Sequence, residues 1–287
     1  ESFWKGFLNQ EEEILALPLD FRRTNYPTFA GSRLETILPK SLQKLINKAL
    51  KNSKTTLFIY MMTAYQVFLT RYTGKSDVVI GSTAANRTEE AFANTIGCFV
   101  NTLPYKLSVS EEDSFANILI KNRKTILDVL DNQYYPFDKI VEMINPNREL
   151  SSSPLFQTVL AMEDHFNDKY MNSFFTLESE KVDIPFSNYE LTLKVKKTED
   201  NLILEFEYSN ELFKEKTIER LMHSFTEWLF QICLYPNNAI NELDYLDNYQ
   251  KDQVLNSFHG EKMHIPSDES IISLFQKMVK KYGNNIA

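Results

Sequence analysis

The 287-residue chain is 43% apolar and 13% aromatic, enough to build a sizeable core in one large or two modest domains. Its 31 basic and 39 acidic side chains leave a formal charge of −8, and no window gathers lysine and arginine into a stripe that could track phosphates, which argues against nucleic acid as a partner. Cys98 and Cys233, the two cysteines, suggest neither a disulfide framework nor a zinc-type ligand spacing and fit a reducing, cytoplasmic setting.

In chain order, residues 1–30 open with a short amphipathic helix carrying Phe3, Trp4, Phe7 and Leu8, followed by the extended connector "LPLDFRRTNYP". A start on Glu1 inside an already amphipathic stretch reads as a piece of something longer, and no stretch of the given sequence reads as a signal peptide. "RLETILP" predicts a strand. Ser41 to Ala49 places Leu42, Leu45, Ile46 and Ala49 at helical spacing, and Thr55 or Thr56 can cap a second helix to about Tyr72. That second helix is apolar on nearly every face, the mark of a central buried helix. Its run Leu57 to Leu69 is broken by Thr63 and Gln66 and falls short of the roughly 18 residues that argue for a membrane span.

Gly74 is placed to end this helix, and Asp77 to lead into a strand at Val78–Ile80. The stretch "IGCFVNTLP", Ile96 to Pro104, predicts a strand continuing through Leu107 with Cys98 and Phe99 on its packing side. Asn101 and Thr102 put an amide and a hydroxyl where that run should enter a core. Ser114 to Leu130 is a helix with Phe115, Ile118, Leu119, Ile126 and Leu130 on one face, and Pro136 starts a short helix through Met143. "SSSPLFQTVLAM" is a strand behind a serine-rich turn. Leu191, Leu193 and Val195, then Leu202, Leu204, Phe206 and Tyr208, alternate with polar residues on either side of "KTEDN", which predicts a hairpin. Glu211 to Leu234 is a long amphipathic helix; 248–268 is polar and aperiodic; "DESIISLFQKMVKKYG" begins another helix with an acidic cap. The expected architecture is α/β (α+β), a mixed sheet covered by helices.

Chemistry is sparse. His165, His223, His259 and His264 form no ligand set, and the seven glycines are scattered singly, without a phosphate loop or a nucleophile elbow. "ESE" at 178–180 and "EED" at 111–113 read as solvated charge runs.

Taken in order, the pieces "FWKGFLNQ" with "LALPLDFRR", then "RYTGKSDVVIGSTAANR", "IGCFVNTLPYKL", "NQYYPFDKIVEMI" and "NRELSSSPLFQTVLAMED" resemble the signature motifs of nonribosomal peptide synthetase condensation domains, of the chloramphenicol acetyltransferase type. The closing "ESIISLFQKMVKKYGNNIA" resembles the first helix of an adenylation domain. The catalytic "HH-x-x-x-DG" of the family is not in this chain, so the resemblance is to a C-terminal lobe. It implies a lobe over residues 1–247, a linker over 248–268 and the start of an adenylation domain over 269–287.

The resemblance further implies amide-bond formation between a carrier-bound peptidyl or aminoacyl thioester and an aminoacyl acceptor. The partners would be upstream and downstream carrier proteins, an N-terminal lobe and an adenylation domain, with 4'-phosphopantetheine on the carriers and no cofactor or metal bound directly. Alone, the chain would be inactive. A non-catalytic docking module of the same fold, or half of an epimerisation or heterocyclisation domain, are the alternatives.

Residue by residue, the motif match implies that Arg87 anchors the lobes by pairing with the aspartate of the missing histidine motif, against a plain reading as a solvated loop arginine. Asn101 and Thr102 either line the tunnel of the pantetheine arm or tie a strand end to neighbouring backbone, and Asp164 is a third tunnel candidate. Tyr72, Gly74, Asp77, Gly97, Gln133, Pro136 and Phe137 are motif residues with structural tasks. Departures from the pattern fall at Asn132-Gln133-Tyr134, at Ser152 or Ser153, and at Glu163-Asp164.

Overall fold

The computed structural model describes residues 1–8, 15–144, 153–164, 169–171, 176–178, 182, 184–257, 260 and 270–283. These divide into two compact units, Glu1–Tyr245 and Leu246–Ala287. His165, His259 and His264 lie outside the described residues, as does Ser152.

In the first unit, α1 (Ser2–Phe7) precedes the connector, then β1 (Gly31–Ile37), α2 (Lys40–Ser53), α3 (Leu57–Thr73), β2 (Asp77–Ala84), α4 (Glu90–Ala93), β3 (Asn101–Ser108), α5 (Phe115–Asp131) and α6 (Phe137–Ile144). There follow β4 (Thr158–Asp164), the short pair β5 (Lys169–Met171) and β6 (Thr176–Glu178), the hairpin β7 (Leu191–Lys197) and β8 (Leu202–Ser209), and α7 (Glu215–Leu234). The second unit holds α8 (Asn248–Asp252), which runs into a π-helical turn at Gln253–Ser257, and α9 (Ile271–Tyr282). The polar stretch expected to be irregular after 248 is thus helical at its start. The cap of α9 is Ser270 in a reciprocal pair with Ser273, not an acidic residue.

Six strands form one mixed sheet in the order β1-β8-β7-β4-β2-β3. The β1/β8, β8/β7 and β2/β3 pairs are antiparallel; β7/β4 and β4/β2 are parallel. The β4/β2 seam is short, with one registered pair, Gly81 opposite Val159, among the described residues. Because side chains alternate along each strand, the registers sort the sheet into two faces. One carries Leu34, Leu204, Phe206, Leu193, Val195, Leu160, Ile80, Leu103 and Tyr105, all but Leu34 buried.

Helices α3, α5 and α7 belong to this apolar layer. Helix α3 is buried without a break from Ile59 to Thr70, so its polar groups need partners inside. Gln66 Nε2 donates to the Tyr105 carbonyl at 2.9 Å, Tyr65 Oη meets Thr158 Oγ1 at 2.7 Å, and Asn122 of α5 donates to Thr63 Oγ1 and Gln66 Oε1 at 3.0 and 2.8 Å. Trp228 of α7 donates to the Ala64 carbonyl at 3.0 Å. Thr56 caps α3 through the Ile59 N–H, and Gly74 ends it at φ +69°, a backbone region costly to a residue with a Cβ.

The connector is stapled down by its own polar residues. Asp20 accepts from the Lys214 N–H at 2.8 Å, at the start of α7. Arg23 grips Glu190 with two bonds of 2.7 and 3.0 Å, Glu190 being buried. Helix α7 begins at Glu215 rather than Glu211, because Glu211 is occupied instead in accepting from the Thr28 N–H and Leu212 gives its carbonyl to Asp20.

Candidate functional site

Strand β3 begins at Asn101, not at Ile96. Ile96 is fully exposed, Val100 is 59% exposed and Cys98 is exposed, so Cys98 is no packing residue. The reason lies upstream. The β2–β3 connection is gathered around Arg87, whose Nη1 donates to the Phe92 and Thr95 carbonyls, the latter at 2.8 Å, and whose Nη2 donates to the Gly97 carbonyl at 2.9 Å. The guanidinium also sits 4.2 Å from the centroid of the Phe99 ring, which packs against Phe92 at 5.4 Å. Phe99 therefore serves this loop. Among the described residues three of the five guanidinium N–H groups are committed, which leaves Nε–H and one Nη2–H, the edge that can donate side-on to a carboxylate.

Asn101 points to the helical face and closes the α5–α6 corner. Its Nδ2 donates to the carbonyls of Gln133 and Tyr135 at 2.8 and 2.9 Å, and its Oδ1 accepts from the Phe137 N–H at 3.2 Å. Gln133 turns its own amide onto the Leu130 carbonyl at 2.8 Å, near the end of α5. The Pro136 carbonyl accepts from the Ile140 N–H in the first turn of α6. Asn101, Gln133, Pro136 and Phe137 thus form one joint between a strand start and two helix ends.

Thr102 faces the other way. Its hydroxyl bonds the Tyr189 phenol, whose pKa is raised by burial, with the Thr102 bond acting in the opposite direction. Beside it Gly81 allows a close approach: a Cβ there would come within 2.3 Å of the Phe156 ring. Phe156 packs against Phe137 at 5.4 Å and Tyr189 at 5.8 Å, so an aromatic cluster covers the β2–β4 seam. Asp164 closes β4 opposite Lys197.

The same face, followed toward β1, carries an ion network built on the polar half of the β7–β8 hairpin. Lys196 bonds Glu205 at 2.5 Å and lies 3.5 Å from Glu35 and 3.8 Å from Glu163; Lys194 lies 2.9, 3.5 and 3.8 Å from Glu207, Glu205 and Glu163. Arg33 reaches Glu207 at 3.1 Å. Glu205 is 1% exposed. Burial pushes its carboxyl up, but the Lys196 bond and the charges of Lys196, Lys194 and Arg33 outweigh that and hold it below the usual range. Burial likewise works against the Lys196 charge, and Glu205 with Glu163 and Glu35 overcomes it, leaving the ammonium pKa raised. The alternation of lysines and glutamates was the signal; the cross-strand register that joins them is not local in sequence.

The remaining motif residues keep structural tasks in this geometry. Tyr72 stacks on Phe68 at 5.3 Å, and Asp77 accepts from Ser76 and Ser108, the Ser108 bond being the main cause of its lowered pKa. His223 lies within α7. Among the described residues no group of three or more potential ligands is placed to hold a metal, and no helix is long and apolar enough to cross a membrane.

A family model described as Condensation domain matches residues 1–255. Among curated proteins the chain is similar to Gramicidin S synthase 2 of Brevibacillus brevis, 31% identical over 287 residues, and to Surfactin synthase subunit 1 of Bacillus subtilis (strain 168), 27% identical over 287 residues. Each alignment spans 100% of this chain but only 6% and 8% of the respective synthase. Among solved structures it is similar to a four-domain nonribosomal peptide synthetase in holo form bound to AMP and glycine, with TM-score 0.85 at 22% identity over 100% of this chain and 23% of that one. The X-domain from teicoplanin biosynthesis gives TM-score 0.77 at 21% identity over 85% of this chain and 56% of that one. Those two share this chain's fold, and with the family model matched across the whole first unit, this chain belongs to the condensation-domain family.

Proposed function

We propose that this chain is the C-terminal lobe of a condensation domain over residues 1–247, followed by a linker over 248–268 and the first helix of an adenylation domain over 269–287. In this reading the lobe supplies one wall of a tunnel where two carrier-bound substrates meet. The acceptor amine attacks the donor thioester carbonyl; the C–N bond forms, the C–S bond breaks, and the thiolate of the donor's phosphopantetheine arm leaves with the proton the amine gives up. Holding two tethered reactants in line can contribute about 7–11 kcal/mol, so a wall residue assists without being a base. The histidine motif belongs to a preceding lobe, and the isolated chain is inactive.

The observation that carries this reading is the ordered family match over residues 1–255, with the chain covering 56% of a solved X-domain. The uncommitted edge of Arg87 supports its role toward a carboxylate of the other lobe, and Thr102, on the face opposite Asn101, is the better placed of the pair to meet an arm. Asp164 remains a tunnel candidate by motif position.

The test joins the chain to its preceding lobe and measures condensation between carrier-bound donor and acceptor by mass spectrometry. The two-lobed protein turns over and the 287-residue chain does not. Arg87→Lys lowers the rate at least about tenfold, because lysine cannot make the side-on pair. Full activity in Arg87→Lys overturns the anchor role.

A second reading has one observation in its favour. The X-domain has also been solved as a complex with OxyB from teicoplanin biosynthesis, with TM-score 0.77 to this chain. A docking module would bind carriers or a partner enzyme in pull-downs while the two-lobed protein forms no amide.

A further inference from the structure

On the helical side of the first unit, away from the polar sheet face, α2, α5 and the end of α7 leave a cavity of about 750 Å³ between them. That size suits a small organic ligand. Leu45, Ala49, Phe115, Leu119 and Ile232 line it. At its base Tyr60 Oη meets Cys233 Sγ at 3.3 Å. Burial raises the pKa of both groups, so the floor is uncharged at neutral pH.

Asn52, Ser53 and Asn237 add neutral polar groups to the lining, and its charged residues are of one sign. Lys48 of α2 and Arg123 of α5, both exposed, line the opening, and neither pairs with a carboxylate among the described residues. Thr55, half-buried, also lines it, and its Oγ1 is out of solvent with no hydrogen-bond partner among the described residues. No aspartate or glutamate is among the lining residues, in a chain whose formal charge is −8. Ile120 and Leu234 stand on the same wall at 70% and 49% exposure, an apolar surface that water covers poorly. An apolar well with two cations at the opening and a spare hydroxyl is complementary to a molecule with an apolar body and one anionic head.

We propose that this cavity is a binding site for a small amphiphilic carboxylate, its alkyl or aryl body lying against Leu45, Phe115, Leu119 and Ile232 and its acid group held by Lys48 and Arg123. The site is separate from the amide-forming face and does not depend on the reading given above. A small ligand fits better than a partner helix because the well ends on the Tyr60–Cys233 floor, whereas a helix needs an open groove along its length.

The test uses the 287-residue chain with Cys98→Ser, so that Cys233 is the one thiol, and decanoate as the probe. Calorimetry detects decanoate binding, and saturating decanoate slows carboxamidomethylation of Cys233 by iodoacetamide, followed by mass spectrometry, at least about fivefold. Loss of two charged contacts in Lys48→Glu/Arg123→Glu weakens binding about tenfold or more, while Lys124→Glu, an exposed cation of α5 outside the lining, changes it less than about twofold. Decanol, with the same chain and no charge, binds at least about fivefold more weakly. Ala116→Trp fills the well and abolishes both signals. The proposal is overturned by any one of three results: no binding heat and no protection, equal affinity for decanol, or affinity that survives the double charge reversal.

Discussion

Asn101→Ala tests whether the amide in the "VNT" motif is a joint. In the structure it makes three hydrogen bonds, two to the carbonyls of Gln133 and Tyr135 and one from the Phe137 N–H. At about 1 kcal/mol net for each, the gross loss is about 3 kcal/mol; water can reach part of this half-buried corner, which lowers the expected cost to about 2–3 kcal/mol. The assay is the denaturant midpoint, read at constant m-value, alongside thermal melting, where such a loss lowers Tm by about 5–10 °C. Asn101→Asp sharpens the test. A carboxylate can still accept from the Phe137 N–H but faces two carbonyl oxygens, so at pH 7 it costs more than alanine; protonation restores one donor, so the gap narrows as pH falls through the carboxyl's pKa. An Asn101→Ala protein with an unchanged midpoint, or an Asn101→Asp protein as stable as the parent, refutes the joint.

Gly81→Ala places a Cβ where the Phe156 ring lies, and the ring is wedged between Phe137 and Tyr189; overpacking of this kind costs about 1–3 kcal/mol, read as a lower denaturant midpoint that Phe156→Leu partly restores. Glu205→Gln removes the carboxylate that Lys194 and Lys196 share, and with Glu163, Glu35 and Glu207 still near them the expected loss is about 2–3 kcal/mol. The pH dependence follows in sign. The depressed Glu205 carboxyl stabilises the fold fully above its unfolded value of about 4.3 and loses this as pH falls through the lower folded value. The raised Lys196 ammonium stabilises fully below about 10.4 and loses this as pH rises through the higher folded value. Glu205→Gln flattens the acid limb; an unchanged acid limb contradicts the network.

Much of the sheet was legible because its strands alternate cleanly. Leu191, Leu193 and Val195 against Lys194 and Lys196 fixed both the hairpin and the buried face, and α3 announced its burial by being apolar all round. Less visible was the purpose of the polar half. Lys196 meets Glu35 across 161 residues of sequence, a juxtaposition set by strand order rather than by any local pattern. The misread start of β3 has a similar cause. Ile96, Phe99 and Val100 look like strand residues by type, but Arg87 collects the carbonyls around them and stacks on Phe99, so the loop's conformation is decided by a side chain outside the run. Asn101 was legible as anomalous; which of its two readings applied depended on where the α5–α6 corner would fall.

The short β2–β4 seam gives the sheet a mechanical character. With Gly81 and Val159 as its registered pair among the described residues, the seam divides the sheet into two plates, β1-β8-β7-β4 and β2-β3, and the Phe156 ring lies over it because Gly81 has no side chain to exclude it. The narrow plate carries Arg87 at its end and Thr102 on its outer face, and the wide plate carries the ion network. The cohesion of the polar wall across the seam therefore rests on the packing of one aromatic ring as well as on the strands themselves.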